Sequence, residues 1–187
     1  MQKIILLIVI TVLGLTSGDA QEIKFGAKAG LNLAYVTGDD TEDVTPNTDF
    51  HFGVMAEWKI SDKFALQPEV IYSGQGADTN IDSERVVSLN YLNVPIMGKY
   101  YVTKGLSLEA GPQIGFLLYT EGGSINFEDA LKSIDLGVNF GVGYKLDNGL
   151  NFSARYNLGL SNIIDLDGVS DKIRNGVFQL SVGYFFF

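Results

Sequence analysis

An alternation of apolar and polar residues organises the segment Ser133–Asn162. Every second residue is apolar in two runs, Ile134–Leu146 and Leu150–Leu160, which are separated by the turn tripeptide Asp147–Gly149. A period of two across a short Asn-Gly turn predicts an antiparallel β-hairpin. The apolar face is free of charge, and the polar face is small and rich in glycine. This combination is typical of strands with lipid on one side and a narrow lumen on the other.

Six further runs repeat this alternation and extend the prediction to eight strands. No apolar-face position in the eight runs carries a charge. About a quarter of residues are charged in an average protein, so a solvated surface would not show this pattern. The sequence therefore predicts an all-β, eight-stranded antiparallel up-and-down transmembrane barrel. The six runs are Ile23–Tyr35, Phe50–Ile60, Phe64–Tyr72, Leu92–Val102, Leu106–Leu118 and Phe178–Phe186.

The connections between the runs alternate between short turns and long segments. Outer-membrane barrels have short turns on the periplasmic side and long loops outside. The short turns are 61–63, 103–105 and 147–149, and the long segments are about 36–49, 74–91, 119–133 and 162–176. Aromatic residues near the short turns predict a girdle at the membrane interface, formed by Trp58, Phe64, Tyr100, Tyr144, Phe152, Tyr184 and Phe186. A second girdle is expected from Tyr35, Phe50, Phe52, Tyr72 and Tyr119.

The inward positions of the predicted strands include both acidic and basic residues. Eight strands enclose an interior just wide enough for side chains to fill it, and an isolated buried charge is very costly. We therefore expect the charges to pair across the lumen, where inward glycines make room for long side chains. This favours a rigid, filled barrel over a proton or ion path. The predicted network is Lys24, Lys28, Glu57, Lys59, Glu69, Lys99, Glu109, Asp135, Lys145 and Arg155.

Three prolines lie inside predicted strands, at Pro68, Pro95 and Pro112. Proline removes an N–H donor from the ladder, and a closed barrel has no free edge where this is harmless. We therefore expect bulges or local kinks at these positions. Control of wall curvature is the favoured interpretation, and a weak seam that can open or bind a partner is the alternative.

Residues 1–20 have the composition of an export signal. A basic start precedes the apolar run Ile4–Leu15, which is too short to cross a membrane as a helix. Small residues follow this run, which is typical of a cleavage site. We predict cleavage before Gln21, leaving 21–187 as one barrel domain. An N-terminal membrane anchor is the less favoured alternative.

The composition limits the partners and the chemistry of the chain. With 22 Asp and Glu against 13 Lys and Arg, its net charge is −9, so nucleic acid is an unfavourable partner. The absence of cysteine excludes disulfides and thiol chemistry. The predicted outer loops are acidic, which favours a solvated rim over loose binding of divalent cations. Asp165–Gly168 lacks the other ligands of a calcium loop, so no metal or cofactor site is predicted.

Catalysis has one candidate residue, His51, which is the single histidine of the chain. It is predicted on the inward face near the outer end of its strand, where Ser73, Ser88 and Asp49 could lie close to it. No spacing in the sequence selects these residues as a hydrolytic site. A lone histidine at a polar rim is usually solvated, so we expect no enzymatic activity. A lipid-modifying enzyme at the rim remains the third candidate function.

Five motifs resemble those of the PorT-like small outer-membrane β-barrel family and occur in the expected order. They are Leu66–Ala77, Tyr91–Pro95, Ala110–Gly115, Ala154–Leu160 and Val177–Tyr184. The resemblance covers nearly all of the chain after the export signal. It implies an outer-membrane barrel of Gram-negative bacteria, surrounded by lipid and lipopolysaccharide and inserted by the barrel-assembly machinery. The eponymous member is similar to proteins needed for type nine secretion, which implies a secretion accessory as an alternative function.

The C-terminal aromatic residues depart from the family pattern. Barrels of this kind usually end on an outward aromatic, whereas here Phe186 is in phase and Phe187 lies one residue beyond it. We expect the assembly machinery to read Tyr184 and Phe186. Taken with the patterning, this predicts a monomer with a structural or interaction role in the cell envelope. Its outer loops or periplasmic turns would contact another envelope component.

Overall fold

Eight β-strands that pair in chain order form the wall of the barrel. The computed structural model describes residues 23–38, 44–79, 85–121, 131–163 and 173–186, so the predicted export signal and Phe187 lie outside the described residues. Each strand is antiparallel to the next, and the last pairs with the first, so the sheet closes on itself as predicted. The strands are β1 (Ile23–Gly38), β2 (Val44–Lys59), β3 (Phe64–Thr79), β4 (Arg85–Tyr101), β5 (Leu106–Glu121), β6 (Ile134–Lys145), β7 (Leu150–Gly159) and β8 (Ile173–Phe185).

The strands turn their apolar faces outward. Leu31 and Phe50 are 59% and 53% exposed, whereas their chain neighbours Asn32 and His51 are 0% and 1% exposed. The buried side chains are more often polar than apolar across the described residues. A soluble ligand-binding barrel has the reverse arrangement, because its apolar residues line the interior. The exposed apolar band therefore indicates a wall that faces lipid.

Three tight turns lie together at one end of the barrel. The main-chain N–H groups of Ile60, Val102 and Leu146 donate to the carbonyl four residues later, at 2.9, 2.9 and 2.8 Å. In the third turn Gly149 has a φ of 92°, in the left-handed region that favours glycine. Because short turns mark the periplasmic side of outer-membrane barrels, we refer to this end as the periplasmic end.

The strands extend further toward the long connections than the sequence predicts. The expected connections 36–49 and 74–91 are too long, because the ladder leaves only 39–43 and 80–84 between the strands. Outward positions beyond the lipid have no need to be apolar. Thr48, for example, is exposed and remains paired with a residue of β1. The alternation that reveals a strand therefore ends before the strand does.

The prolines interrupt the ladder without changing its register. Each of Pro68, Pro95 and Pro112 lies in a two-residue gap of the ladder toward the preceding strand. The pairing omits Gln67 and Pro68 between β2 and β3, Val94 and Pro95 between β3 and β4, and Gly111 and Pro112 between β4 and β5. The same register continues beyond each gap, so the ladder is locally interrupted at these prolines without a bulge. The two register shifts of the wall lie elsewhere, between Pro46 and His51 and between Asn90 and Tyr91. On the side of the following strand each of the three remains paired, Pro68 with Ile96, Pro95 with Gln113 and Pro112 with Val138.

Aromatic side chains cover the outer wall near both ends. On the outer side, the rings of Phe52 and Tyr72 lie 5.1 Å apart between centroids. Tyr35 reaches across β8 to the hydroxyl of Tyr156, and Gly176 permits this, because a Cβ there would lie 2.6 Å from the Tyr35 ring. Beside the short turns lie the aromatics of the predicted periplasmic girdle, namely Trp58, Phe64, Tyr100, Tyr144, Phe152, Tyr184 and Phe186.

An apolar cluster fills the outer mouth of the lumen. Leu89 and Tyr91 of β4 pack with Ile163, which follows β7, and all three are buried. The main chain of Ile163 is held on both sides, since it donates to Ile173 and accepts from Lys132, each at 2.9 Å. The described residues include no helix that is long and apolar enough to cross a membrane.

Candidate functional site

Seven charged side chains form one alternating series of ion pairs across the lumen, which we call the charge chain. Each comes from a different strand, so the charge chain connects β1 to β7. Acidic and basic residues alternate along it, and it begins and ends with a lysine. The order of contacts is Lys28, Glu69, Arg155, Glu109, Lys99, Glu57 and Lys145.

Arg155 lies at the centre of one half of the charge chain. Its Nη1 and Nη2 donate to the two oxygens of Glu69 at 2.8 and 2.7 Å, and its Nε donates to Oε2 of Glu109 at 2.9 Å. Lys28 Nζ donates to Oε2 of Glu69 at 3.1 Å, so this oxygen accepts from both bases. These four side chains are at most 2% exposed. Bidentate pairing of a guanidinium fixes both carboxylates in position.

Glu57 lies at the centre of the other half of the charge chain, near the periplasmic end. Its Oε2 accepts from Lys99 Nζ at 3.1 Å and from the Tyr101 hydroxyl at 2.6 Å, while Lys145 contacts Oε1. Lys99 also lies 3.3 Å from Glu109, which joins the two halves. The ammonium of Lys145 is 5.1 and 5.2 Å from the ring centroids of Tyr101 and Phe185, a favourable position for a cation.

Neutral polar groups and glycines complete the packing. Gln67 accepts from Lys99 at 3.0 Å and donates to Glu69 at 2.6 Å, so it bridges the two halves a second time. Gly143 leaves the space that a carboxylate fills, because a Cβ at that position would lie 2.3 Å from Oε1 of Glu109. Each of the seven members of the charge chain thus lies against a residue of opposite charge. Buried charges need such a partner to offset the hydration that they lose.

The remaining three residues of the predicted network do not join the charge chain. Lys59 has a side chain that is 48% exposed and lies 3.9 Å from Asp62 in the adjacent turn. Lys24 lines the periplasmic opening. Asp135 lies in the outer half of the lumen, where it accepts from Asn175 at 2.9 Å and from Ser161. Sequence patterning missed Gln67 and Tyr101, because a neutral inward residue carries no signal of which charge it contacts.

A separate layer of amides around His51 fills the outer half of the lumen. Asn32 donates to Ser73 at 2.9 Å and accepts from His51 Nδ1 and Gln179, at 2.7 and 2.9 Å. With Nδ1 donating, His51 Nε2 accepts from the Ser181 hydroxyl at 2.8 Å. Both nitrogens of the imidazole therefore have partners in the neutral form, and His51 is 1% exposed instead of solvated at a rim.

Of the residues considered for a hydrolytic site, Ser73 lies opposite His51 in the ladder of β2 and β3, but the hydrogen bonds of His51 go to Asn32 and Ser181 and not to Ser73 or Asp49. The carboxylate of Asp49 accepts from the main-chain N–H of Phe50 at 2.7 Å, and Ser73 contacts Asn32. Ser181 and Asn32 flank the imidazole, but all three side chains are buried. Neither of the two cavities described below is lined by them. The geometry is that of a hydrogen-bonded packing layer.

A cavity of about 670 Å³ opens at the periplasmic end, and we call it the vestibule. Its floor is the end of the charge chain, with Glu57, Tyr101, Lys145 and Phe185. Its wall contains both lysines and apolar side chains. The lysines beyond the floor are Lys24, Lys59, Lys63 and Lys104, and the acids of the wall are Asp62 and Asp147. The wall is therefore rich in positive charge, although the chain as a whole has a net charge of −9.

Beyond the vestibule the charge chain closes the lumen. A second cavity among Lys28, Glu109 and Arg155 has a volume of about 10 Å³. This is close to the smallest space that accommodates one water molecule. The described part of the lumen is thus filled by side chains between the vestibule and the apolar cluster at the outer mouth.

The acidic loop residues lie largely outside the described residues. Asp49 is the exception whose side chain is described, and it contacts the main chain of Phe50. The described residues contain no group of three or more His, Asp or Glu that could hold a metal ion. The loop acids outside the description are Asp39, Asp40, Glu42, Asp43, Asp82, Glu84, Glu128, Asp129, Asp165, Asp167 and Asp171.

Comparison with solved structures finds outer-membrane barrels of similar fold. Neisserial surface protein A is 15% identical with a TM-score of 0.59, and the match covers 87% of this chain and 97% of that one. The attachment invasion locus protein Ail of Yersinia pestis is 14% identical with a TM-score of 0.55, covering 88% and 99%. The outer membrane protein AlkL, studied in lipid bilayers, is 14% identical with a TM-score of 0.54, covering 91% and 93%.

At these identities the similarity establishes the fold alone. No curated protein matches the chain. The family model described as outer membrane protein beta-barrel domain matches residues 19–165, which is most of the chain. With the closed eight-stranded wall and its lipid-facing apolar band, this match shows that the chain belongs to the outer membrane protein beta-barrel domain family.

Proposed function

We propose that this protein is a monomeric, non-conducting barrel of the outer membrane with a structural or interaction role in the cell envelope. The observation that supports this is the charge chain, which fills the lumen and ties seven strands together. Export through cleavage of residues 1–20 accompanies the proposal. Lipid and lipopolysaccharide surround the wall, and the barrel-assembly machinery inserts it. No cofactor, metal or nucleic acid takes part.

Conductance measurements test the filled lumen. The purified barrel is reconstituted into planar lipid bilayers and compared with a double variant, Lys99→Ala with Glu109→Ala, that removes one acid and one base from the charge chain. The wild-type protein should show no steady conductance, because the buried, mutually paired side chains of the charge chain occupy the lumen above the vestibule. A persistent ion current through the wild type would overturn the proposal of a closed barrel.

The interaction role is tested in the cell. Crosslinking of intact outer membranes, followed by affinity capture of the barrel, should recover a defined envelope protein in addition to the assembly machinery. Recovery of the assembly machinery alone would leave a purely structural role in the membrane. Fractionation of the mature chain as a soluble periplasmic protein would contradict both roles.

A secretion accessory function is the alternative proposal, and its support is the family resemblance of five strand motifs. These motifs place residues of β3, β4, β5, β7 and β8 in the wall, where they determine the fold. Deletion of the gene followed by assay of type nine secretion separates the alternatives. Normal secretion in the deletion strain would remove this candidate.

We also propose that the barrel has no enzymatic activity. The support is the neutral, buried position of His51 between Asn32 and Ser181. Membranes carrying the His51→Ala variant should turn over phospholipid and lipid A at the wild-type rate. A loss of turnover with normal barrel folding would instead favour the third candidate, a lipid-modifying enzyme.

A further inference from the structure

We infer that the vestibule is a binding site for an acidic peptide segment of a periplasmic partner protein. The inference rests on the proposed interaction role and assigns it to one surface. Five lysines and three carboxylates line the vestibule. The surplus of positive charge is local, since the whole chain has a net charge of −9. A surface of this kind attracts anions and accelerates their association.

The acids of the vestibule are either already bonded within the charge chain or held in ion pairs that are open to water. Glu57 already accepts from Lys99, Tyr101 and Lys145, so it is fully used by the charge chain. Asp62 is entirely exposed in its turn and lies 3.9 Å from Lys59. The pair between Lys104 and Asp147 is also open to water, because the two side chains are 85% and 81% exposed. Such exposed pairs are weak and exchange readily with other charges.

The end of the charge chain contributes to the same surplus. The charge chain has four bases and three acids, so one positive charge has no acid of its own. Lys145 is the terminal member on the vestibule side and is 21% exposed, whereas Lys28 at the other end is 2% exposed. The excess charge is therefore available to a ligand at the floor of the vestibule.

The size and lining of the vestibule favour a peptide over a simple ion. A volume of about 670 Å³ lies within the range of sites for organic ligands. Val102, Leu146 and Phe185 also line the vestibule, so a ligand there meets apolar as well as charged groups, which suits a chain that contains both acidic and apolar residues. The lysines extend from β1 to the end of β6, so several carboxylates along one extended chain can each meet a lysine.

The position of the vestibule identifies where the partner must be. The three short turns and the end of β8 form its rim, and this is the periplasmic end of the barrel. The lumen is closed above it by the charge chain. A ligand therefore enters from the periplasm and remains there, which is the behaviour of a docking site and not of a transport path.

Fluorescence anisotropy measures this binding. The barrel is reconstituted into nanodiscs of zwitterionic lipid, and the probe is a fluorescein-labelled hexapeptide of alternating Glu and Leu. Two double variants are compared, each removing two positive charges. One is Lys63→Gln with Lys104→Gln in the vestibule, and the other is Lys132→Gln with Arg174→Gln at the outer end. Empty nanodiscs and a peptide of alternating Gln and Leu serve as controls for binding to lipid and to apolar surface.

The vestibule variant should bind the acidic peptide about tenfold more weakly than the wild type, and the outer variant should match the wild type. Raising the salt concentration should reduce this difference, because the lysines are exposed. Equal affinities of the two double variants would overturn the inference, as would equal binding of the uncharged peptide. Displacement of the peptide by dodecanoate at equal concentration would instead assign the site to single-chain carboxylates and refute a peptide partner.

A failure of the vestibule as the binding site can be distinguished from a failure of the proposed interaction role. Crosslinked capture is repeated from cells that carry each double variant. A partner captured equally from both variants would preserve the interaction role but remove the vestibule as its site. A partner lost only from the variant Lys63→Gln with Lys104→Gln supports the inference in the cell.

Discussion

Truncation of Arg155 tests whether the charge chain stabilises the barrel. Arg155 on β7 contacts Glu69 on β3 and Glu109 on β5, across the full width of the lumen. The side chains of both acids are at most 1% exposed. Arg155→Ala therefore leaves two buried carboxylates with fewer partners, and water has almost no access to replace the guanidinium.

The structure sets the expected magnitude. Removing one member of a buried ion pair typically costs about 3–5 kcal/mol. Glu69 retains Lys28 and Gln67 as donors after the change, and Glu109 retains Lys99. Each acid thus keeps one lysine, so we expect the free energy of unfolding to fall by about 3 kcal/mol, at the lower end of that range.

Urea titration of the barrel in lipid vesicles measures this loss. Trp58 is the single tryptophan of the chain and lies in the wall opposite Ile23, so its fluorescence reports on insertion. Lys104→Ala is the matched control, because it also removes one base from an ion pair but an exposed one. Its cost should be below about 1 kcal/mol. Equal, small losses for both variants would refute the argument that the lumen charges are buried and coupled.

The alternation of the charge chain allows a sharper test with a second variant. Glu109→Gln combined with Arg155→Ala leaves Lys28 paired with Glu69, and Lys99 and Lys145 paired with Glu57. The carboxylate that Arg155→Ala leaves paired with one lysine, Lys99 at 3.3 Å, is replaced by a neutral amide in the double variant. The double variant should lose less stability than the sum of its single variants, by about 0.5–3 kcal/mol. Simple additivity would mean that the two residues act independently.

Three further perturbations probe the wall and the lumen in the same urea assay. Gly143→Ala should cost about 1–3 kcal/mol, because the new Cβ would lie 2.3 Å from Glu109. Gly98→Ala should be nearly neutral, since its Cβ would meet neighbours at 3.4 Å or more, and equal effects would contradict the packing described. Val138→Arg, on the outward face of β6, should cost about 2–4 kcal/mol if it lies near the bilayer midplane. A nitroxide label on Val138→Cys should be accessible to oxygen and protected from a water-soluble nickel reagent, and low accessibility to both would contradict a lipid-facing position.

The strand faces were predictable because lipid imposes a strong contrast. Leu31 and Phe50 are apolar and exposed, whereas Asn32 and His51 beside them are polar and buried. This contrast appears directly in the sequence as a period of two. It fades where the wall leaves the lipid, which explains why the extensions of β1 to Gly38 and of β3 to Thr79 carried no signal.

The partners within the lumen were not predictable from single strands. Glu69 and Arg155 are 86 positions apart in sequence and lie on strands that are not neighbours. Which inward residues meet across a barrel depends on the tilt and stagger of its strands, which no single-strand pattern records. For the same reason Asp135 was grouped with the charge chain, although it lies at a different height with Asn175.

The prolines show a second feature of the fold that the sequence predicts only in part. A missing N–H donor predicts a local break in the ladder, and a break is found at each of Pro68, Pro95 and Pro112. Whether a bulge forms at such a break depends on the neighbouring strand. In the gap at Pro112, Gly111 allows close approach, because a Cβ there would lie 2.0 Å from the Ile96 carbonyl oxygen. The backbones can therefore remain in register without an inserted residue.

The charge chain also explains why the periplasmic end differs chemically from the rest of the molecule. An alternating chain that begins and ends with lysine must carry one surplus positive charge. Burying that surplus would be costly, because an uncompensated charge loses its hydration. The structure places the more exposed terminal lysine, Lys145, at the vestibule, where water and ligands can reach it. Closing the lumen with these residues and creating a cationic periplasmic surface are thus two consequences of one arrangement.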